Sequence, residues 1–280
     1  MKTKIKQAIP VLLVFLVLFS CEKEKDKAPE IPPVETMVIY YGNLTNADKS
    51  AASPENLFAL SNVNWLYSVT TVGVWSALIG VTFAVPVAAF RAAFNQLPER
   101  TGYRTWEWAY TVDGLTGQYS ARLVGQQVYD EIEWEMYISK SGVGAFDEFL
   151  WFDGNSALDG NSGEWMLYHS PEFPEEVIYI DWQRENGEVN ALSYAYIREL
   201  NNEGESDDFN GSYIFYGLKE PAFDAYVIIH AYSQQQEAFV NTNIEWSRVD
   251  YSGRVKAEHF YGDADWHCWD TEGNDTDCYE

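Results

Sequence analysis

Carboxylates are the most abundant groups in this chain that could do chemistry: 43 acidic residues stand against 18 basic ones in 280. Three of them recur in one setting, each between an isoleucine and a tryptophan: Ile132-Glu133-Trp134, Ile180-Asp181-Trp182 and Ile244-Glu245-Trp246. Trp106-Glu107-Trp108 is a variant. Two such carboxylates in one cleft, at a set separation, are what glycoside hydrolysis requires. The plain reading of the motif is a strand with an apolar inner face and an acidic outer face. The functional reading is an aromatic platform for sugar or lipid, built from Trp106, Trp108, Trp134, Trp182 and Trp246. The tryptophan intervals of 48 and 64 residues are unequal, so the motif does not mark a blade or solenoid repeat.

Two acidic, glycine-bearing stretches offer the hard oxygens that calcium prefers. One holds Asp153, Asn155, Asp159, Asn161 and Glu164; the other holds Asp270, Glu272, Asn274 and Asp277. Neither has the EF-hand register, and ordinary Asx turns account for both equally well. No other cofactor is implied. The four histidines (His169, His230, His259, His267) are scattered. There is no nucleophile elbow, no zinc-protease helix motif and no phosphate-binding glycine loop. Cys268 and Cys278 stand ten apart, which in an exported chain points to a disulfide closing a short loop. The rival is a metal site using His267, Cys268, Cys278 and His259, although adjacent His267 and Cys268 would strain to face one ion.

The elements that must carry these residues read as mainly β. From Thr105 onward, segments of seven to twelve residues alternate apolar and polar, with Asp113-Gly114, Asn186-Gly187 and Ser252-Gly253 as turn signals. About ten antiparallel strands in a meander are expected over 105–261, followed by an acidic, disulfide-closed loop over 262–280. Met37–Tyr41 reads as an earlier strand, and Ser53-Pro54-Glu55 as a helix start. Residues 63–90 contain no formal charge in 28 positions. A span of that length could cross a bilayer or lie buried on all sides as a helix. A crossing would leave the C-terminal cysteines on the reducing side, which favours burial. Gly73, Ala77, Gly80, Ala84 and Ala88 share one helical face and suit close backbone approach. Pro86 should kink or end the helix. The expected architecture is α+β, mainly β: a curved antiparallel half-barrel or barrel packed around a long apolar helix spanning 53–97, in one globular domain over 35–280. Lipoprotein-carrier half-barrels look similar in outline, by analogy alone.

The N-terminus supplies an address. Lys2, Lys4 and Lys6 precede Val11–Phe19, an uncharged apolar run of nine residues, too short to span a membrane and suited to a signal-peptide core. The run ends Leu18-Phe19-Ser20-Cys21, which resembles the lipobox of bacterial lipoprotein precursors. The resemblance covers residues 1–21. It implies cleavage of 1–20, a diacylglyceryl thioether on Cys21 and acylation of the new amine. The alternative is an ordinary secretory signal with an incidental cysteine. Residues 21–34, with alternating charges and Pro29, Pro32 and Pro33, read as a flexible tether able to reach about 40 Å. Glu22 in place of Asp, and the Lys- and acid-rich stretch after Cys21, favour the outer membrane by family resemblance.

Removing the leader, with its three lysines and no acid, takes the net charge from −25 to −28. Such a surface repels nucleic acid and anionic headgroups. The sequence therefore points to an anchored, non-enzymatic binding or interaction module whose partner is a glycan, a lipid or an envelope protein. A carrier of lipid or another apolar ligand and an acid-residue glycoside hydrolase are the alternatives.

Overall fold

The structure is a computed structural model that describes residues 27–38, 44, 61–114, 117–219 and 222–278. The leader, Cys21, the Ser53 helix start and most of the expected strand over 37–41 lie outside the described residues. Met37 and Val38 follow a 3-10 turn, Val34–Thr36.

Fourteen strands form one antiparallel sheet in which sequence order is spatial order. They are β1 (Glu99–Gly102), β2 (Thr105–Gly114), β3 (Gly117–Val128), β4 (Glu131–Lys140), β5 (Phe146–Ala157), β6 (Ser162–Tyr168), β7 (Glu176–Glu185), β8 (Glu188–Tyr196), β9 (Tyr213–Leu218), β10 (Ala225–Ser233), β11 (Ala238–Trp246), β12 (Gly253–Lys256), β13 (His267–Trp269) and β14 (Asp275–Thr276). The first and last strands are not paired to each other, so the sheet is open. The strands outnumber the ten expected because β1 precedes the expected meander, β6 adds one within it, and the C-terminal stretch, read as a loop, adds β13 and β14. Asn186-Gly187 forms a two-residue hairpin turn with φ of 54° and 85°, the conformation that favours this pair. Ser252-Gly253 does not; residues 247–252 form the connection, and Gly253 opens β12.

Alternation puts one set of side chains inside. Ile132, Trp134, Ile180, Trp182, Ile244 and Trp246 are at most 5% exposed. What lets so many indoles lie on one face is the residue facing each across the ladder. Gly125 pairs with Trp134, Gly154 with Trp165, Gly163 with Trp182 and Gly253 with Trp269. A Cβ at 125 would sit 2.7 Å from Trp134 Cζ3, and one at 163 would sit 2.5 Å from Trp182 Cζ2.

The apolar segment forms two helices, α1 (Val63–Thr82) and α2 (Ala84–Ala93). The break falls at Phe83, three residues before Pro86, for a physical reason. Proline clashes with the carbonyl four residues back, here Thr82, yet it is tolerated in the first turn of a new helix, where amides lack helical partners. No helix among the described residues is long and apolar enough to cross a membrane. Nor is α1 buried all round. Asn64, Ser68, Val72 and Trp75 are buried, while Thr70, Gly73, Val74 and Ala77 are exposed. Ala84 and Ala88 are exposed as well, so Gly73, Ala77, Ala84 and Ala88 of the small-residue face point outward. The packed side is made of large residues, with Phe90 edge-on to Phe152 and Trp165 at 5.6 Å.

The expected tether is packed from Ala28 onward. Ile31, Pro32, Thr36 and Met37 are buried. Thr36 Oγ1 accepts from Trp165 Nε1 at 3.1 Å, and the Met37 carbonyl accepts from the Tyr194 hydroxyl at 2.9 Å.

The C-terminal hairpin anchors α1. Asp275 Oδ2 and Oδ1 accept from the first helical amides, Val63 N at 3.1 Å and Asn64 N at 2.9 Å, a capping carboxylate 211 residues away from Asn64. Asn64 Nδ2 donates to the Cys268 carbonyl at 2.9 Å. The Cys268–Cys278 disulfide encloses this hairpin.

Two outcomes test this packing. Gly125→Ala should cost about 1–3 kcal/mol in denaturant unfolding, since the added methyl overpacks the ring of Trp134. Asp275→Ala should cost about 1 kcal/mol by removing the cap from α1, and reducing the Cys268–Cys278 bond should reproduce part of that loss. An unchanged unfolding midpoint on reduction would show that the hairpin holds its cap without the bridge.

Candidate functional site

The proposed tryptophan platform is not on the surface. Trp106, Trp108, Trp134, Trp182 and Trp246 are at most 4% exposed, and nine of the eleven tryptophans are buried. Each shares a strand face with the core, and its acidic neighbour takes the outside. Trp134 Nε1 donates to Ser156 Oγ at 2.9 Å; the indole N–H groups of Trp182 and Trp246 have no partner.

The candidate acid pair is not one site either. Glu133 and Asp181 lie on β4 and β7, facing Asn155 and Glu164 in the same cross-strand row. Three strand spacings of about 4.8 Å put them about 14 Å apart, beyond the roughly 5–9.5 Å a glycosidase uses. Glu245 is on β11, where burial pushes its carboxyl up but hydrogen bonds from Lys219 and Arg254 outweigh that and hold it below its ordinary value.

The outer face of β4–β7 nonetheless gathers acids. Glu131, Glu133, Glu135, Asp153 and Glu164 line a shallow depression with Asn155. Tyrosines partner two of them: Tyr168 donates to Asp153 Oδ2 at 3.0 Å, and Tyr179 donates to Glu164, which also accepts from Asn155 Nδ2 at 2.7 Å. Burial pushes the Asp153 carboxyl up, against the Tyr168 hydrogen bond, and Glu135, Glu176 and Glu164 add to the rise. Asp181 is raised by burial and by facing Glu164. Among the described residues, no group of three His, Cys, Asp or Glu side chains is placed to hold a metal. In the C-terminal stretch, Asp270 Oδ1 accepts from Glu272 N at 2.8 Å and Asn274 N at 2.9 Å, an Asx-type turn. Asp159 Oδ1 accepts from Asn161 N at 3.0 Å in the same manner.

The histidines sit apart. His169 lies beside Phe173, with its imidazole held below the usual value by burial and Arg198. His267 stacks on Tyr261 at 3.7 Å and pairs with Asp263 at 3.0 Å. Cys268 is oxidised and cannot serve as a thiolate ligand, so the mixed histidine–cysteine metal site is not formed.

Sequence reading missed a surface that the sheet assembles elsewhere. On the outer face of β9–β11, Tyr213 stacks on His230 with centroids 5.2 Å apart. His230 stacks on Phe239 at 4.8 Å, with planes 3° apart. Tyr213 is 39% exposed and Phe239 40%. Asn241 Oδ1 meets His230 Nδ1 at 2.8 Å and orients that ring. Phe209 and Tyr232 extend the aromatic surface edge-on. Phe209 is held there by the loop over 197–212: Asp207 Oδ1 accepts from Phe209 N at 3.0 Å, and Asp207 Oδ2 accepts from Tyr196 at 2.8 Å. Gly211, at φ 93°, lies beside the Phe239 ring, where an added Cβ would sit 3.7 Å from Cζ.

Beyond Phe239 lies a shallow groove of about 440 Å³, lined by Gln236, Asn241, Glu258 and His259. Its far wall is the short helix α3 (Glu258–Tyr261). His259 Nε2 meets the Tyr67 hydroxyl of α1 at 3.0 Å, and burial lowers its imidazole. The groove thus joins an aromatic wall to a polar one. Tyr213 and His230 fall in segments that alternate as strands, Phe239 lies before the next such segment, and the meeting of all three depends on register.

Compared with protein-family models, curated proteins and solved structures, the chain matches none.

Asp153 offers a test of the acidic depression. Its carboxyl titrates above the ordinary value, so the ionised form penalises the folded state. The penalty is missing at low pH and appears as pH rises through the folded-state pKa. Asp153→Asn should therefore stabilise the fold at pH 7, by roughly 0.5 kcal/mol or less after screening at this half-exposed position. Thermal unfolding should show the gain vanish below the ordinary carboxylate range, whereas a loss at pH 7 would show that the carboxylate itself is needed there.

Proposed function

We propose that this chain is a lipid-anchored protein of the outer membrane, held by Cys21, that acts as a non-enzymatic binding module. Its binding surface is the aromatic row Tyr213–His230–Phe239 with the adjoining groove. The observation that carries the reading is the row itself. Large rings are kept 39–40% exposed on a rigid sheet while nine tryptophans are withdrawn into the core.

The chemistry selects a class of ligand. Aromatic faces favour the C–H faces of sugar rings, and the polar wall of Gln236, Asn241 and Glu258 offers hydrogen bonds to hydroxyls. The charge of −28 in the mature chain disfavours anionic ligands. A neutral glycan of the envelope or of its surroundings meets both conditions. In this reading the sheet is a half-barrel that curves around α2 and residues 31–37, and it serves as a stiff frame for the outer face.

A lipid or apolar-ligand carrier is the second reading, and one feature favours it. Pro33, Val38, Val189, Leu192 and Tyr216 line an apolar cleft of about 270 Å³. Trp182, whose indole N–H has no partner, faces Leu192 across the ladder; Trp246, also unpartnered, lies 6.2 Å from Tyr216. Against it, the cleft is small and the inner face is filled by aromatic packing.

Titration with neutral oligosaccharides, followed by calorimetry, distinguishes the two. Phe239→Ala removes one stacking ring, worth about 0.5–1.5 kcal/mol, so sugar affinity should fall roughly 2- to 12-fold with the unfolding midpoint nearly unchanged. A lipid released from the native protein on denaturation, with no sugar bound by wild type, would favour the carrier.

A further inference from the structure

The hairpins end on two rims, and the strand register assigns each tip to one of them. Thr105 faces Gln126, Glu131 faces Ala157, Ser162 faces Gln183, and Trp246 faces Gly253. The turns 103–104, 129–130, 158–161, 186–187 and 247–252 therefore share one rim. At their apices stand Tyr103 (78% exposed), Tyr129 (89%), Leu158 (52%) and Val249 (83%). Tyr129 occupies φ 54°, a region where a bulky side chain is a genuine outlier and glycine or asparagine is usual. A tyrosine is held at that tip although the turn would be satisfied by smaller residues.

The described chain begins at this same rim. Lys27, Pro29 and Ile31 line a cavity of about 200 Å³ together with Leu158, Asp159 and Gly160 of the β5–β6 turn, and with Trp106 and Arg184. From there six residues lead back to Cys21. A fully extended chain of that length spans at most about 20 Å, because residues 28–34 are packed rather than free. The opposite rim also exposes apolar side chains, Val143 at the β4–β5 turn and Leu97 before β1. Exposure alone does not choose between the rims, but the short leash does.

We propose that the rim bearing Tyr103, Tyr129, Leu158 and Val249 rests on the lipid bilayer, with these tips in the headgroup layer, so that the protein is oriented as well as tethered. The inference rests on lipidation at Cys21. Tyrosine suits the location, with an apolar ring and a polar hydroxyl at the level where bilayer meets water. On the same rim the acids Asp130, Asp159, Glu185, Glu188 and Asp250 outnumber the bases Lys27, Arg104, Arg184 and Arg248, so there is no basic excess and the surface it fits is zwitterionic rather than anionic. In this pose the acidic depression and the aromatic row lie on the outer wall of the sheet, accessible from the side.

The test uses the full-length lipidated protein on phosphatidylcholine vesicles, with or without brominated acyl chains. Flotation reports the anchor: wild type should float with the vesicles and Cys21→Ser should not. Tyr129→Trp and Leu158→Trp each add an indole at the docking rim, and Val143→Trp adds one at the opposite rim. Brominated lipid should quench the added emission of the first two about twofold, as expected for side chains seated at the headgroup–acyl boundary, and leave that of Val143→Trp unchanged. Replacing part of the phosphatidylcholine with phosphatidylglycerol should weaken the quenching. Flotation without quenching at either tip, or equal quenching at both rims, would overturn the docked pose and leave the anchor standing. A wild type that does not float would remove the anchor and the pose together.

Discussion

An indole flanked by large side chains on both neighbouring strands would crowd the inner face of this sheet, and that face depends on how the crowding is relieved on at least one side of the ring. At Gly125, Gly154, Gly163 and Gly253 the residue facing a tryptophan lacks a side chain, and the ring lies across the bare backbone. The arrangement weakens each strand locally, because glycine gives up conformational entropy and packs nothing itself. It recovers more by burying rings of the size of Trp134, Trp165, Trp182 and Trp269, each at most 1% exposed. Edge-to-face and stacked contacts then run through the layer, as from Phe90 to Phe152 to Trp165 to Trp182.

That layer in turn dictates what must cover it. A face of indoles has N–H donors as well as apolar area, and both call for partners. Residues 31–37 and α2 supply part of them: Thr36 takes the N–H of Trp165, the Met37 carbonyl takes the hydroxyl of Tyr194, and the Ala89 carbonyl takes the hydroxyl of Tyr110 at 2.6 Å, while the N–H groups of Trp182 and Trp246 stay unpartnered. Burial drives the Tyr110 hydroxyl far above its ordinary pKa, so it stays a donor at any physiological pH. The C-terminal hairpin completes the cover at the other edge, where Asp275 holds the start of α1. With these contacts made inward, the outer face is free to vary, and it divides into an acidic part on β4–β7 and an aromatic part on β9–β11.

Much of this was legible from residue order. The Ile-acid-Trp motifs place their acids outside and their flanking residues inside, as alternation requires, and Asn186-Gly187 turns where expected. Cys268 and Cys278 are joined. Other features were hidden for identifiable reasons. The small-residue face of α1 faces outward because the packing surface is set by Val72, Trp75, Val87 and Phe90 on the other side. The prolines at 29, 32 and 33 suggested a loose tether, but extended chain is also the form that lies well across a sheet, and Ile31 and Pro32 are buried there.

What the sequence determined by itself was periodic and local: the strand meander, the facing of each side chain, the excess of acid and the cysteine pair in its short loop. These follow from a side-chain period of two and from short-range turn chemistry. Which outward residues become neighbours was decided by tertiary structure, because a cross-strand contact depends on register and strand order. Tyr213, His230 and Phe239 are separated by up to 26 positions in the chain and meet only because β9, β10 and β11 pair in this alignment. By the same registers Glu133, Asp181 and Glu245, alike in sequence, end on separate parts of one sheet.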